Sequence, residues 1–129
     1  MIAVDANAIV ALLVDDGQLG SAGRSLYLEH DLAAPDLLPY EVISVLRKLS
    51  QRGTVTERVA EQALRDLSLV RLSAISYSEI AQRIWELRDN LSPYDAAYVA
   101  VAELLRIPLL TFDNRLRRSP GPSCEFVEI

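Results

Sequence analysis

The sequence predicts an α/β fold: a single domain, residues 1–129, with a mainly parallel central sheet of about five strands covered by helices on both faces. Three observations carry that expectation. Short apolar runs alternate with longer stretches of helical periodicity, the pattern of a parallel sheet wrapped by crossover helices. The 129 residues are 50% hydrophobic and 24% charged, enough for one core without disulfides or a structural metal and too few for two domains. No internal repeat, low-complexity tract or linker-like segment interrupts the alternation.

In chain order, strands are expected at "IAVD" (2–5), "LAAP" (32–35), "VRLS" (70–73), "LLTF" (109–112) and "EFVEI" (125–129). Helices are expected at "AIVALLV" (8–14), "SAGRSLYLEH" (21–30), "PYEVISVLRKLSQR" (39–52), "TERVAEQALRDLS" (56–68), "YSEIAQRIWELRD" (77–89) and "SPYDAAYVAVAELL" (92–105). Gly53 stands where a left-handed residue closes the third of these, and Ser76 with Glu79 has the spacing of a capping box. The glycines of "GQLGSAG" (17–23) read as a flexible turn, because the stretch lacks the Lys of a phosphate loop and the spacing of a dinucleotide site.

Composition excludes several function classes. Cys124 and His30 are each the sole residue of their type, so an internal disulfide and most zinc patterns are ruled out and a reducing, cytoplasmic setting is expected. The start "MIAVDANAIVALLV" has no Lys or Arg before Arg24, and Asp5 interrupts it. It therefore reads as buried structure rather than a signal sequence. No apolar run approaches the ~20 residues that span a bilayer. A net charge of −5 argues against a generally nucleic-acid-adhesive surface. Arg47, Lys48 and Arg52, and Arg115, Arg117 and Arg118, are candidates for a local basic rim or, more blandly, for solvated helix faces.

Four acids fall at the ends of elements. Asp5 and Asp113 follow the "IAVD" and "LLTF" runs, at the carboxyl ends of strands where open α/β sheets bind ligands. Glu41 lies two residues after Pro39, beside the apolar stripe Leu38, Val42, Val45, Leu46 and Leu49. Asp95 shares a helical face with Tyr98, Val99 and Ala102. With Ser92 as N-cap and Pro93 at the first helical position, Asp95 is the third helical residue, where it can serve the helix start or bind a metal. Each acid taken singly is also a normal turn former or dipole partner. Together, inward carboxylates without a nearby lysine need a partner, and oxygen-only ligands select a hard cation such as Mg²⁺ or Mn²⁺. Asn7, Thr111 and Asn114 add neutral polar groups suited to orienting ligands or a water.

The segments "VDANAIVALL", "LLPYEVISVLRKL", "SPYDAAYVAVAE" and "LLTFDNRL", in that order and spacing, resemble the PIN-domain ribonucleases, specifically the VapC toxins of bacterial VapBC toxin–antitoxin systems. The resemblance runs essentially from end to end. It implies an α/β/α sandwich and a Mg²⁺- or Mn²⁺-dependent endoribonuclease acting on RNA, held inactive by a cognate VapB-like antitoxin and forming a homodimer. Carried over by motif, Asp5, Glu41, Asp95 and Asp113 form the acidic quartet, with Asp5 and Asp95 as direct metal ligands and Asp113 acting partly through water. Asn7 stands where the family often has Ser or Thr.

Two other readings compete. Phosphoaspartyl phosphatases carry Asp-x-Asp after the first strand, where this chain has Asp5, Ala6 and Asn7, and receiver domains need a late lysine, whereas Lys48 is the only one. A binding module with a dead site keeps the fold but leaves an intact quartet without a purpose. No histidine base is available beyond His30, in keeping with metal-assisted hydrolysis rather than a Ser-His or Cys-His pair. No aromatic stacking platform for bases is evident in the motifs, so the substrate-binding residues are undefined at this level.

Overall fold

Four parallel strands form the centre of the computed structural model, which describes residues 1–128. They are β1 (Ile2–Val4), β2 (Leu32–Pro35), β3 (Leu72–Ile75) and β4 (Leu109–Leu110), in the order β3-β2-β1-β4. Ala3 pairs with Ala33 on one side and Leu109 on the other. β1 and β2 are buried throughout, as the continuous apolar runs of a parallel sheet require.

Seven helices complete the described fold: α1 (Ala6–Val14), α2 (Gln18–Glu29), α3 (Leu38–Gln51), α4 (Glu57–Leu67), α5 (Tyr77–Glu86), α6 (Pro93–Leu105) and α7 (Asn114–Arg118). Right-handed crossovers set their sides: the chain moves from β1 through β2 to β3 with α1–α4 on one face, then returns to β4 with α5 and α6 on the other. α6 lies across β1, β2 and β4 and is buried continuously from Ala96 to Ala102, so it reads as apolar all round rather than amphipathic. Its four alanines in that span permit close approach to the sheet. Because β2 and β4 flank β1 but are reached by connections on opposite faces, a crevice opens at the carboxyl ends of β1 and β4, the usual ligand position in such sheets.

The structure corrects four local expectations. The sheet has four strands rather than five: "EFVEI" contributes one bridge, Leu109 to Phe126, and Ile129 lies outside the described residues. The Arg117 guanidinium accounts for the short pairing, since it donates to the carbonyls of Val127 at 3.0 Å and Thr111 at 3.4 Å, groups that a longer ladder would use. The strand read at 70–73 begins at Leu72, because turn hydrogen bonds to Asp66 and Leu67 hold Leu69 and Val70.

The glycine-rich stretch is helical, not a turn. Gly20 and Gly23 are buried where α2 crosses α1, and a Cβ on Gly20 would stand 2.0 Å from the Asp15 carbonyl oxygen and 2.8 Å from that of Ala11. Helix–helix proximity thus overrides the low helical propensity of glycine. Gly53 closes α3 as expected, with φ of 75° and Thr54 N–H donating to the Leu49 carbonyl at 2.9 Å. Ser76 is the N-cap of α5, but its hydroxyl donates to the Glu79 carboxylate at 3.3 Å instead of accepting from the Glu79 amide.

Candidate active site

All four acids sit at helix N-termini around the crevice. Asp5 ends β1 and caps α1, its Oδ1 accepting from the Ala8 amide at 2.8 Å. It is 7% exposed. Burial raises its pKa from 3.8 to about 6; hydrogen bonds from Thr111 and Ala8 oppose the rise, while the charges of Asp95 and Asp113 add to it. Thr111, fully buried at the end of β4, also accepts from the Asp113 amide at 3.1 Å. Its hydroxyl therefore links the two strand-end acids.

Asp113 caps α7, with Oδ1 accepting from the amides of Arg115 at 2.9 Å and Leu116 at 3.3 Å. Its other oxygen lies 4.0 Å from the Arg115 guanidinium. At the start of α6 the cap is Ser92, whose hydroxyl accepts from the Asp95 amide at 3.2 Å. The half-buried Asp95 carboxylate makes no hydrogen bond to a backbone amide among the described residues. Its pKa is raised by burial and by Asp113, against the lowering influence of Arg115 and Ser92.

Glu41, in the first turn of α3, accepts from the Tyr98 hydroxyl at 2.7 Å. Tyr98 is 2% exposed, and its phenol lies within the field of Asp5 and against the Ala6 amide. Burial, with Glu41 beside it, pushes the phenol well above its ordinary range. The hydroxyl therefore keeps its proton.

The structure thus brings Asp5, Asp95 and Asp113 within electrostatic reach of one another, and Glu41 joins them through Tyr98. Among the described residues, no three His, Cys, Asp or Glu side chains stand close enough to form a ready-made cation cage. The donor chemistry nonetheless suits a hard cation: Asp113 commits Oδ1 and Glu41 commits Oε1 to hydrogen bonds within the fold, and each has a second carboxylate oxygen. A divalent ion would also offset the burial and, to a lesser degree, the like charge that raise Asp5.

Asn7 and Asn114 are exposed and make no hydrogen bond to the four acids among the described residues. Asn7 lines an apolar groove with Val10, Leu19, Val55 and Phe112, while Asn114 lines a separate one with Thr111, Arg117 and Glu128. Two further residues belong to the site. Tyr98 lies on the inward face of α6, as its spacing from Asp95 predicts, but its hydroxyl partner is 57 residues away and has no local signal. Arg115, one of the candidate bases of a local rim, lines a polar cleft of about 330 Å³ with Asn90, Ser92, Asp95 and Ser119.

Residues 2–121 match the family model for the PIN domain. The chain is 42% identical over 127 residues to ribonuclease VapC9 of Mycobacterium tuberculosis, covering 96% of this chain and 94% of that protein. Its fold is similar to the sarcin-ricin-loop-cleaving toxin VapC20 of M. tuberculosis, with a TM-score of 0.71 at 18% identity over 100% of this chain and 98% of the other. VapBC2 of Rickettsia felis, solved bound to promoter DNA, superposes with a TM-score of 0.67 at 17% identity, covering 99% and 98%.

Proposed function

The chain belongs to the PIN-domain family and, within it, to the VapC ribonucleases, and from that premise we propose that it is a toxin that hydrolyses RNA phosphodiesters with a divalent cation held by its acidic crevice. The observation that carries the metal reading is the approach of Asp5, Asp95 and Asp113 at the β1–β4 crevice, where the exposed Arg115 guanidinium, 4.0 Å from Asp113, also acts on Asp95. Asp5 and Asp95 are assigned as direct ligands of Mg²⁺ or Mn²⁺, with Asp113 and Glu41 completing the charge around it. Such an ion supplies polarisation of the phosphate and activation of water.

The chain's own groups prepare that chemistry. Thr111 and the Ala8 amide fix the Asp5 carboxylate, and Ser92 satisfies the α6 terminus so that the Asp95 carboxylate stays free. Arg115, 85% exposed in its side chain and beside the cleft, is suited to meet a backbone phosphate next to the one being cut. Purified protein is expected to cut RNA with Mg²⁺ or Mn²⁺ and to stop in EDTA. Full cleavage in EDTA sinks the reading. Mapping of new 5′ ends after induction in cells names the RNA and the cleavage site.

The partner proposals rest on relatives. A VapB-like antitoxin is expected to cover the crevice with an Arg or Lys entering it, because a negative, partly dry pocket favours a paired cation. VapBC2 of R. felis supports a toxin–antitoxin pairing in that relative. A complex that leaves the acids open to RNA contradicts it. A homodimer is expected on family grounds, and a monomeric mass by light scattering refutes it. No helix of the described residues is long and apolar enough to cross a membrane.

A further inference from the structure

Tyr98 is buried, and its hydroxyl reaches from α6 to α3. A phenylalanine would fill the same apolar space without bringing a polar group into the core. The hydroxyl therefore calls for its own explanation, since a buried O–H must find a partner. Its single proton goes to Glu41 Oε1 at 2.7 Å. A carboxylate oxygen only accepts, so the direction of the bond is fixed: tyrosine donates and glutamate accepts. The charge of Asp5, directly before α1, also reaches the phenol, which thus lies between the Asp5 end of β1 and the first turn of α3. Among the described residues, Tyr98 is the one side chain that hydrogen-bonds Glu41.

We propose that Tyr98 is a positioning residue that holds Glu41 at a fixed distance from Asp5, clamping one glutamate oxygen so that the other faces the crevice. The proposal rests on the reading of that crevice as a metal-dependent nuclease site. Tyr98 touches neither substrate nor metal. It acts through Glu41, whose side chain has enough rotatable bonds to leave the crevice if released. Partners that orient metal-site carboxylates typically change affinity or activity by about 10–100-fold when removed.

The test is a cycle of four proteins: wild type, Tyr98→Phe, Glu41→Gln and the double variant. Each is assayed for Mn²⁺ binding without RNA by electron paramagnetic resonance, for thermal unfolding in EDTA and for RNA cleavage. Tyr98→Phe is expected to weaken Mn²⁺ binding and slow cleavage by about tenfold or more, and to change neither by more than about twofold when Glu41 is already Gln. Its unfolding temperature in EDTA should stay within a few degrees of wild type.

Equal losses in both backgrounds would make the hydroxyl a general structural element and overturn the proposal, as would wild-type Mn²⁺ binding in Tyr98→Phe. If Tyr98→Phe does not fold, 4-fluorophenylalanine introduced at position 98 takes its place. This residue fills the space of the hydroxyl but has no proton to donate to Glu41, so its Mn²⁺ affinity must fall. An unchanged affinity refutes the clamp. Coupling in Mn²⁺ binding with no RNA cut by any of the four proteins sinks the nuclease reading and leaves the clamp standing. No Mn²⁺ binding by wild type sinks both.

Discussion

Two half-buried groups of acids on either side of α6 behave in opposite ways. Near the carboxyl end of the helix, Glu103 receives a bidentate grip from Arg83, with Nε–Oε2 at 2.7 Å and Nη2–Oε1 at 3.0 Å, and a further bond from the Ser123 amide at 3.0 Å. Burial alone would raise its pKa, but Arg83 and Ser123 outweigh burial and lower it. The same guanidinium holds the Gly121 carbonyl at 3.0 Å, fastening the C-terminal segment to α5 and α6. At the amino end, Asp95 faces Asp113 and Asp5, and burial and like charge raise it. The tightly paired Glu103 fastens structure, whereas the crevice acids, with only the exposed Arg115 at 4.0 Å from Asp113, carry a penalty of burial and like charge that a cation would offset.

Substitutions that remove one charge at each end should therefore have effects of opposite sign, and the largest is expected at Asp95. Asp95→Asn should cut Mg²⁺- or Mn²⁺-dependent cleavage by at least ~100-fold, the scale expected for losing a catalytic metal ligand, while its melting temperature in EDTA equals or exceeds that of wild type. A variant less stable in EDTA that still cleaves normally would return Asp95 to a role at the helix start.

Asp5 sharpens the comparison through pH. Its folded pKa of about 6 lies above the ordinary 3.8, so the native state holds the proton more tightly than the unfolded chain. Stability from this group is greatest below about pH 4, declines as pH rises toward 6 and is at its lowest above that. The difference amounts to about 3 kcal/mol. In EDTA, Asp5→Asn, which keeps an oxygen for the Ala8 amide, should be more stable than wild type at pH 8 and lose that advantage by pH 4. A gap that does not change across this range in denaturant melts would show that Asp5 is not raised by burial and its acidic neighbours.

Glu103→Gln should have the contrary effect, lowering stability by about 1–3 kcal/mol and leaving cleavage near wild type. A drop in cleavage matching that of Asp95→Asn would erase the distinction between the two ends of α6. The smallest effect is expected at Arg115. Its side chain is 85% exposed, so Arg115→Gln should change unfolding in EDTA by less than about 1 kcal/mol. Its contribution should appear instead as a weaker salt dependence of RNA binding, and an unchanged salt slope removes Arg115 from the RNA path.

The sequence by itself determined the class of fold and the order of the first four strands and six longer helices, and it singled out the four acids; the short helix α7 had no signal in it. Those features are local: apolar runs of strand length, helical periodicity, Ser92–Pro93 before a helix and Gly53 after one all act within a few residues. What lay between distant segments was decided by the tertiary structure. Gly20 and Gly23 became helical because α2 packs against α1, closer than a Cβ on Gly20 would permit. The fifth strand shrank to one bridge because Arg117 takes the carbonyls it would need. Asp95 need not cap its own helix because Ser92 does, and its pKa rose through burial and through Asp113, which arrives from the end of β4. The Tyr98–Glu41 bond joins residues 57 apart in sequence. Local propensity extends over a helical turn or two, whereas hydrogen-bond partners, charge neighbours and burial depend on which segments the completed sheet sets side by side, and these convert four acids that recur as ordinary turn and cap residues into one crevice.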